Sequence, residues 1–277
     1  MRQRQVIIIG FESALEYWRQ LRRALGGVGS EQTWGLYPTE MLLALTEEEL
    51  WSDCSLLPIP IPRRIGARCR RAANLLGLAS PLHVVVGREE SRRRAAGAAC
   101  HAWRGPVSDG LVVWPEDDIC VCSPELTWLQ MAARVSRIEL LQIGLELCGR
   151  YACAPRRRAP AEVVEKPITA VERLRKVVET SGHVSGIASA RWALRYLAPE
   201  CRSPMESQML TLACLPRRMG GCGQALPKVN YRIDVTGVAS KLTDRSYFVL
   251  DQYYERARLD FEYQGRSEHA GTLKHME

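Results

Sequence analysis

The sequence predicts an α/β fold of the mixed, α+β kind, in which a mixed N-terminal unit is followed by a C-terminal unit of helices and then strands. The first observation is a set of short apolar runs of strand type, LHVVVG at 82–87 and LVVW at 111–114. The second is helical spacing of leucines over 126–145. The third is the end of the chain, where strand-like runs follow one another at 228–235, 246–254 and 257–265.

The N-terminal stretch MRQRQVIIIGFESALEYW is typical of a strand that enters a helix. Its apolar run, residues 6–9, is too short for a signal peptide because two glutamates soon follow it. DICVCS, residues 118–123, is a further strand-like run. The polar segment REESRRRAAGAACHAW, residues 88–103, is predicted to be a loop or a short helix. Within it we interpret His101 and Trp103 as structural rather than catalytic.

A long helical segment begins at Ser123, a natural N-cap, with Pro124 at the first helical position and Glu125 near the positive end of the helix dipole. Leucines and alanines recur at helical spacing as far as Leu145, and Gly149 is a stop signal. Two antiparallel or broken helices fit this pattern best, and we expect them to be core scaffold.

The best candidate linker is APRRRAPAEVVEKP, residues 154–167, which is bounded by prolines, charged and aperiodic. It suggests three parts: a mixed region at 1–155, a helical linker region at 156–200 and a final domain at 201–277. Helical segments are predicted beyond the linker at 169–180, at 185–197 and from Ser203-Pro204 onward.

The chain has 277 residues, 46% of them hydrophobic, with 38 Lys and Arg against 31 Asp and Glu and a net charge of +7. This is enough material for a sizeable core. The positive excess is dominated by arginine and is compatible with a nucleic-acid partner. The segment RRIGARCRR could line a phosphate track or form a solvated helix face; its basic residues are Arg63, Arg64, Arg68, Arg70 and Arg71.

Ten cysteines are scattered along the chain without a C-x-x-C pair, which indicates free thiols in a reducing cytoplasm. Cys120, Cys122, Cys148 and Cys153 match no usual zinc spacing. No apolar run reaches the roughly 18 residues of a membrane span, so no membrane partner is expected. The sequence has no Walker-type loop and no G-x-G-x-x-G, so a nucleotide cofactor is unsupported.

The stretch LDQYYERARLDFEYQGRSEH, residues 250–269, gathers acids on one apparent hairpin. Mg²⁺ prefers oxygen ligands and touches few carboxylates, and neighbouring strands supply such ligands readily. Asp251 and Glu262 are the candidate pair, and Gln264 shares a strand face with Glu262. Asp260 lies two residues before Glu262 and so shares the same strand face, which makes Asp260 a rival ligand. The alternative is a polar, solvent-facing pair of strands.

Two further residues could join this site. Glu206, one turn into its helix, could reach it from the layer packed on the sheet, although a first-turn glutamate often only satisfies the helix dipole. His269 could activate water or contact phosphate, or it could be solvated coil.

These residues resemble the PD-(D/E)XK nuclease superfamily, and within it the bacterial domains related to very-short-patch repair endonucleases. The resemblance rests on Asp251, on Glu262 with Gln264 and Gly265 after it, on His269, and on the preceding SPMES helix. Gln264 stands where that branch more often has Asp. The short segments SPELTWLQMA and ELCGRY resemble the region that is joined to such nuclease-like domains in proteins related to AbiEi-type antitoxins.

The resemblance implies a restriction-endonuclease-like αβββ core and a DNA endonuclease-like protein, active or degenerate, that hydrolyses phosphodiesters with Mg²⁺. Asp251 and Glu262 would hold the ion, Gln264 would orient water or metal, and His269 would assist proton transfer. The superfamily core continues with another helix and strand, and without them one edge of the sheet would be left unpaired. The explanation would be a truncated chain, a toxin or second subunit that covers the edge, or cover by the N-terminal helices. The alternatives are a DNA-binding antitoxin or regulator of AbiEi type without catalysis, and an interaction protein with neither activity.

Overall fold

A computed structural model describes residues 6–26, 64–155 apart from six single positions, and 159–263. Arg63, Gln264 and His269 therefore lie outside the described residues. Across the described ranges the fold is mixed α/β, with seven α-helices, one five-stranded mixed sheet and two smaller sheets. The predicted fold class is confirmed at this level.

The helices of the described residues are α1 (Phe11–Gly26), α2 (Ile65–Leu75), α3 (Pro124–Met131), α4 (Arg137–Leu147), α5 (Val171–Thr180), α6 (Ile187–Ala193) and α7 (Pro204–Cys214). The strands are β1 (Ile7–Ile9), β2 (Leu82–Val86), β3 (Ala98–Ala102), β4 (Val112–Glu116), β5 (Ile119–Cys122), β6 (Tyr151–Ala152), β7 (Glu162–Val163), β8 (Lys228–Asp234), β9 (Tyr247–Tyr254) and β10 (Leu259–Phe261).

The main sheet has the strand order β3-β2-β1-β5-β4. Strand β1 lies at its centre, antiparallel to β2 and parallel to β5, and its three isoleucines are all buried. A central strand with both faces covered reads as a continuous apolar run, which is why the sequence predicted it. Strand β3 pairs in parallel with β2 and brings His101 opposite Val85. The prediction of a loop or short helix for 88–103 was therefore wrong at Ala98–Ala102, where pairing with β2 overrides weak local propensity.

The junction of β1 and α1 is tightly packed. A Cβ on Gly10 would lie 2.6 Å from Cγ2 of Val85 and 2.7 Å from Oε1 of Gln130, so only glycine fits there. Phe11 has a positive φ of 54° and donates its N–H to Oε1 of Gln130 at 2.9 Å. This junction places Glu12, in the first turn of α1, beside strand β2.

Helices α3 and α4 form the predicted helical scaffold. The side chain of Ser123 caps α3 by accepting the N–H of Leu126, and Ser136 caps α4 by accepting the N–H of Glu139. Nε1 of Trp128 donates to the carbonyl of Leu140 at 2.9 Å, which joins the two helices.

One continuous hydrophobic core includes buried residues from Ile7 to Leu215, so it extends across both predicted domain boundaries, at 155 and 200. Part of the predicted linker forms β7, which pairs with β6. Val229, on the first strand of the C-terminal sheet, packs against the same core.

The C-terminal sheet is antiparallel in the order β10-β9-β8, and Gln252 of its central strand is buried and donates Nε2 to the carbonyl of Glu206 at 3.1 Å. This contact fixes β9 against the start of α7. In the described part of the chain, no helix combines the length and the apolar character needed to cross a bilayer.

Candidate functional site

The hairpin of β9 and β10 brings Asp251, Asp260 and Glu262 together. In its register, Asp260 pairs with Tyr253 and Phe261 pairs with Gln252. Continuing the same register by one residue places Glu262 opposite Asp251. The side chains of directly opposed residues in antiparallel strands share a face. The N–H of Tyr263 donates to Oδ2 of Asp251 at 2.8 Å, and the N–H of Gln252 donates to Oδ1 of Asp260 at 3.2 Å, so backbone groups hold both carboxylates in place.

Negative charge is crowded on this hairpin. The pKa of Glu262 is raised to about 7 by hydrogen bonding with the Asp260 carboxyl, by partial burial and by the charge of Asp251. Burial also raises the pKa of Asp251, and the charges of Glu206 and Asp260 act in the same direction, while the N–H of Tyr263 and the charge of Arg202 oppose the rise. A cation among these oxygens would relieve the repulsion, and Asp251, Asp260 and Glu262 are the residues that could hold it.

Glu206 has different contacts. Its carboxylate accepts a hydrogen bond from Oγ of Ser203 at 3.0 Å, from the N–H of Arg202 at 2.9 Å and from Nδ2 of Asn230 at 3.0 Å. Ser203 in turn accepts the N–H of Glu206. This is a reciprocal capping arrangement at the start of α7, so the contacts of Glu206 are those of a structural residue whose charge reaches Asp251.

The predicted arginine track lies on α2 and at its start. Nη2 of Arg68 lies 3.4 Å and Nη1 of Arg71 3.0 Å from the carboxylate of Asp118, while Arg70 donates to the carbonyl of Ala96 at 3.0 Å. The side chains of Arg64, Arg70 and Arg71 are exposed. One carboxylate thus faces two guanidinium groups, and the surface of α2 keeps a net positive charge.

A second group of side chains, missed by the sequence analysis, lies where α1 meets β2 and β3. Nδ1 of His83 lies 2.7 Å from Oε2 of Glu12 and 3.0 Å from Nε2 of His101. His83 is held against α1 because its N–H donates to Oγ of Ser13 at 2.9 Å and its carbonyl accepts the N–H of Gly10 at 3.1 Å. The rings of His83 and His101 are stacked, with centroids 5.0 Å apart.

The surroundings of His101 and Glu12 keep these two side chains in the forms that coordinate a metal. Burial, with the positive charges of His83 and Arg134, lowers the pKa of His101 to about 4, so its ring is neutral at pH 7. Burial opposes ionisation of Glu12, but its hydrogen bonds and the charge of His83 outweigh that effect and hold its pKa at about 2. A neutral imidazole and an ionised carboxylate are the forms that coordinate a metal.

Among the described residues, Glu12, His83 and His101 are the only group of three or more His, Cys, Asp and Glu side chains whose ligand atoms all lie within 4.8 Å of one another. The protein therefore contains a group that could hold a metal ion, and the hairpin carboxylates are spaced more widely. The only signal in the sequence was a histidine within the apolar run LHVVV, because His83 and His101 meet through the pairing of β2 with β3.

The nine cysteines that the structure describes do not offer a comparable site. Burial raises the pKa of Cys122, Cys153 and Cys201 to about 12, so these thiols are protonated at neutral pH. The nine cysteines that the structure describes are free.

No protein-family model, curated protein or solved structure matches the chain significantly. The resemblance to PD-(D/E)XK nucleases and to AbiEi-type regions therefore stays a prediction. Function has to be argued from these residues and their geometry.

Proposed function

We propose that this protein is a divalent-metal-dependent phosphodiesterase that acts on DNA, with its ion held by Asp251 and Glu262. The observation that carries the proposal is the position of these two residues, opposite each other on neighbouring strands, with Asp260 in contact with Glu262. Neighbouring carboxyl groups contribute to the raised pKa values of Asp251 and Glu262, and a doubly charged ion between these two residues would offset that repulsion.

A bound Mg²⁺ would polarise the phosphodiester and make hydroxide available from a coordinated water near neutral pH. Asp251 is held by the N–H of Tyr263 and would bind in a defined orientation. Glu262, whose pKa is about 7, would lose its proton when the ion binds. Gln264 and His269, in their predicted roles, would orient the water and assist proton transfer to the leaving oxygen.

The surface around the hairpin supports a nucleic-acid substrate. The rings of Tyr231 and Tyr253 are stacked with centroids 5.4 Å apart, and Nζ of Lys228 lies 4.6 Å from the centre of the Tyr231 ring. The guanidinium of Arg232 lies 4.0 Å from the centre of the Tyr247 ring. Aromatic faces with adjacent cations bind bases and phosphates together. Since Tyr253 pairs with Asp260, this surface adjoins the acids.

The test is nicking of supercoiled DNA by the full chain with Mg²⁺ and with a chelator. We expect Mg²⁺-dependent nicking that is lost in Asp251→Asn and in Glu262→Gln. Asp244→Asn is the matched control, because Asp244 is an exposed acid in the connection between β8 and β9. Equal nicking by all four proteins would identify a contaminant and refute the proposal.

A second candidate function is DNA binding without cleavage, as in a regulator or antitoxin of AbiEi type. It is favoured by the surplus of exposed arginine on α2, where Asp118 is the carboxylate that pairs with Arg68 and Arg71. Fluorescence anisotropy with labelled duplex DNA should then show salt-sensitive binding that weakens in a double change of Arg70 and Arg71 to Ala. The absence of cleavage with any divalent metal would favour this candidate over the nuclease.

A further inference from the structure

We infer that Glu12, His83 and His101 form a binding site for a divalent transition-metal ion of the zinc class, separate from the hairpin carboxylates. The ligand atoms are Oε2 of Glu12, Nδ1 of His83 and Nε2 of His101, which all lie within 4.8 Å of one another. Two imidazoles and one carboxylate are a ligand set that zinc accepts with a fourth position left for water.

Hydrogen bonding alone does not satisfy these three atoms. Nδ1 of His83 faces both Oε2 of Glu12, at 2.7 Å, and Nε2 of His101, at 3.0 Å. A ring nitrogen carries at most one proton, so it cannot donate along both directions. Despite the short contact, Oε2 is buried without a hydrogen bond of proper geometry in the described structure. A cation between the three lone pairs would satisfy all of them.

The spacing suits a small ion. Zinc bonds to imidazole and carboxylate are about 2.0–2.2 Å long, and tetrahedral geometry then separates ligand atoms by roughly 3.3 Å. The two short contacts fall slightly below that separation. Small rotations of the side chains would open these two contacts to the separation that zinc requires.

Arg134 argues for a transition metal rather than Mg²⁺. Its Nε and Nη2 donate to Oε1 of Glu12 at 3.0 and 2.9 Å, which leaves Oε2 turned to the imidazoles. The guanidinium also offsets the charge of Glu12. Imidazole coordination, and not net negative charge, must therefore supply the affinity, and imidazole favours zinc, copper and nickel over magnesium.

An ion could reach this site from solvent. The side chain of Glu12 is 37% exposed and that of His83 is 20% exposed, although Oε2 itself is buried, so an ion would enter past the edges of these side chains. Glu12 also lines a cavity of about 590 Å³ between α1 and α4, beside Glu16 and Met131.

The test is calorimetric titration of the chelator-treated, reduced full chain with ZnCl₂. With excess Mg²⁺ present to occupy the hairpin carboxylates, we expect one bound zinc ion, and more than about tenfold weaker binding in His101→Gln and in His83→Ala, since loss of even an outer-sphere partner weakens metal binding by that factor. His183→Ala is the matched control, because His183 is exposed and lies outside the site. Asp251→Asn with Glu262→Gln should also leave zinc binding unchanged, which separates this site from the proposed nuclease centre.

Substitution with Co²⁺ distinguishes imidazole ligands from thiols. The inferred site predicts visible d–d absorption without a thiolate-to-cobalt band in the near ultraviolet. Zinc binding retained in both histidine variants, a thiolate band, or no uptake of zinc would each overturn the inference. Circular dichroism checks the fold of each variant; should His83→Ala unfold, the conservative changes His101→Gln and Glu12→Gln decide the outcome.

Discussion

Oε1 of the buried Gln130 in α3 accepts the N–H of Phe11 at 2.9 Å. This hydrogen bond joins the start of α1 to a helix far away in sequence, at a residue whose φ is positive. It holds the first turn of α1, and with it Glu12, in place beside His83 and His101. The geometry of the candidate metal site thus depends on an amide that is not one of its ligands.

Gln130→Ala should destabilise the fold by about 1–3 kcal/mol, because it leaves the buried N–H of Phe11 without an acceptor. Chemical denaturation measures the difference. Gln208→Ala, at an exposed position on α7, should change the unfolding free energy by less than about 0.5 kcal/mol. Equal losses in the two variants would show that the hydrogen bond is unimportant.

Glu146→Gln should be more damaging. The carboxylate of Glu146 is 2% exposed and accepts Nη2 of Arg19 at 2.6 Å and the N–H of Cys153 at 2.9 Å. Loss of its charge leaves the Arg19 guanidinium largely buried without a counter-ion, which costs about 3 kcal/mol. Thermal unfolding should show the loss, while Glu179→Gln, on the exposed face of α5, should unfold like the unchanged protein.

The hairpin should lose stability as pH rises in the absence of divalent ions. The pKa of Glu262 is raised from 4.5 to about 7, so the folded state favours its protonated form. Its contribution to stability is fully present below pH 4.5 and is lost as pH rises through about 7. Glu262→Gln should remove this dependence, and Mg²⁺ should reverse it in the unchanged protein. Hydrogen exchange of the β9 and β10 amides between pH 5 and 8, corrected for intrinsic rates, measures the stability of the hairpin. Identical pH profiles for the unchanged protein and Glu262→Gln would refute the raised pKa of Glu262.

Asp118→Asn should tighten DNA binding if α2 is a phosphate-contacting surface. The change removes the carboxylate that pairs with Arg68 and Arg71, so the net positive charge of this surface rises by one. The affinity should rise, and its logarithm should fall more steeply with the logarithm of salt concentration. Anisotropy titrations at several salt concentrations measure both quantities. Glu116→Gln, at an exposed position at the end of β4, is the neighbouring control, and an equal gain there would indicate a general charge effect.

Local signals in the sequence determined much of the secondary structure. Ser123 and Ser203, each followed by proline, predicted the starts of α3 and α7, since a capping side chain acts on backbone groups within one turn. The order of helix and three strands near the C-terminus was predicted from alternation and turn residues alone. The roles of Gln264 and His269 in the site remain predictions.

Tertiary structure decided which side chains meet. Strand β3 has the sequence AACHA, with little β propensity of its own, and it forms because β2 supplies its hydrogen bonds. Only the order β3-β2-β1, with the junction at Gly10, brings His101, His83 and Glu12 into contact. Propensity and capping depend on neighbours within a few residues, whereas contact between distant residues depends on strand register, and that is fixed by packing of the whole core.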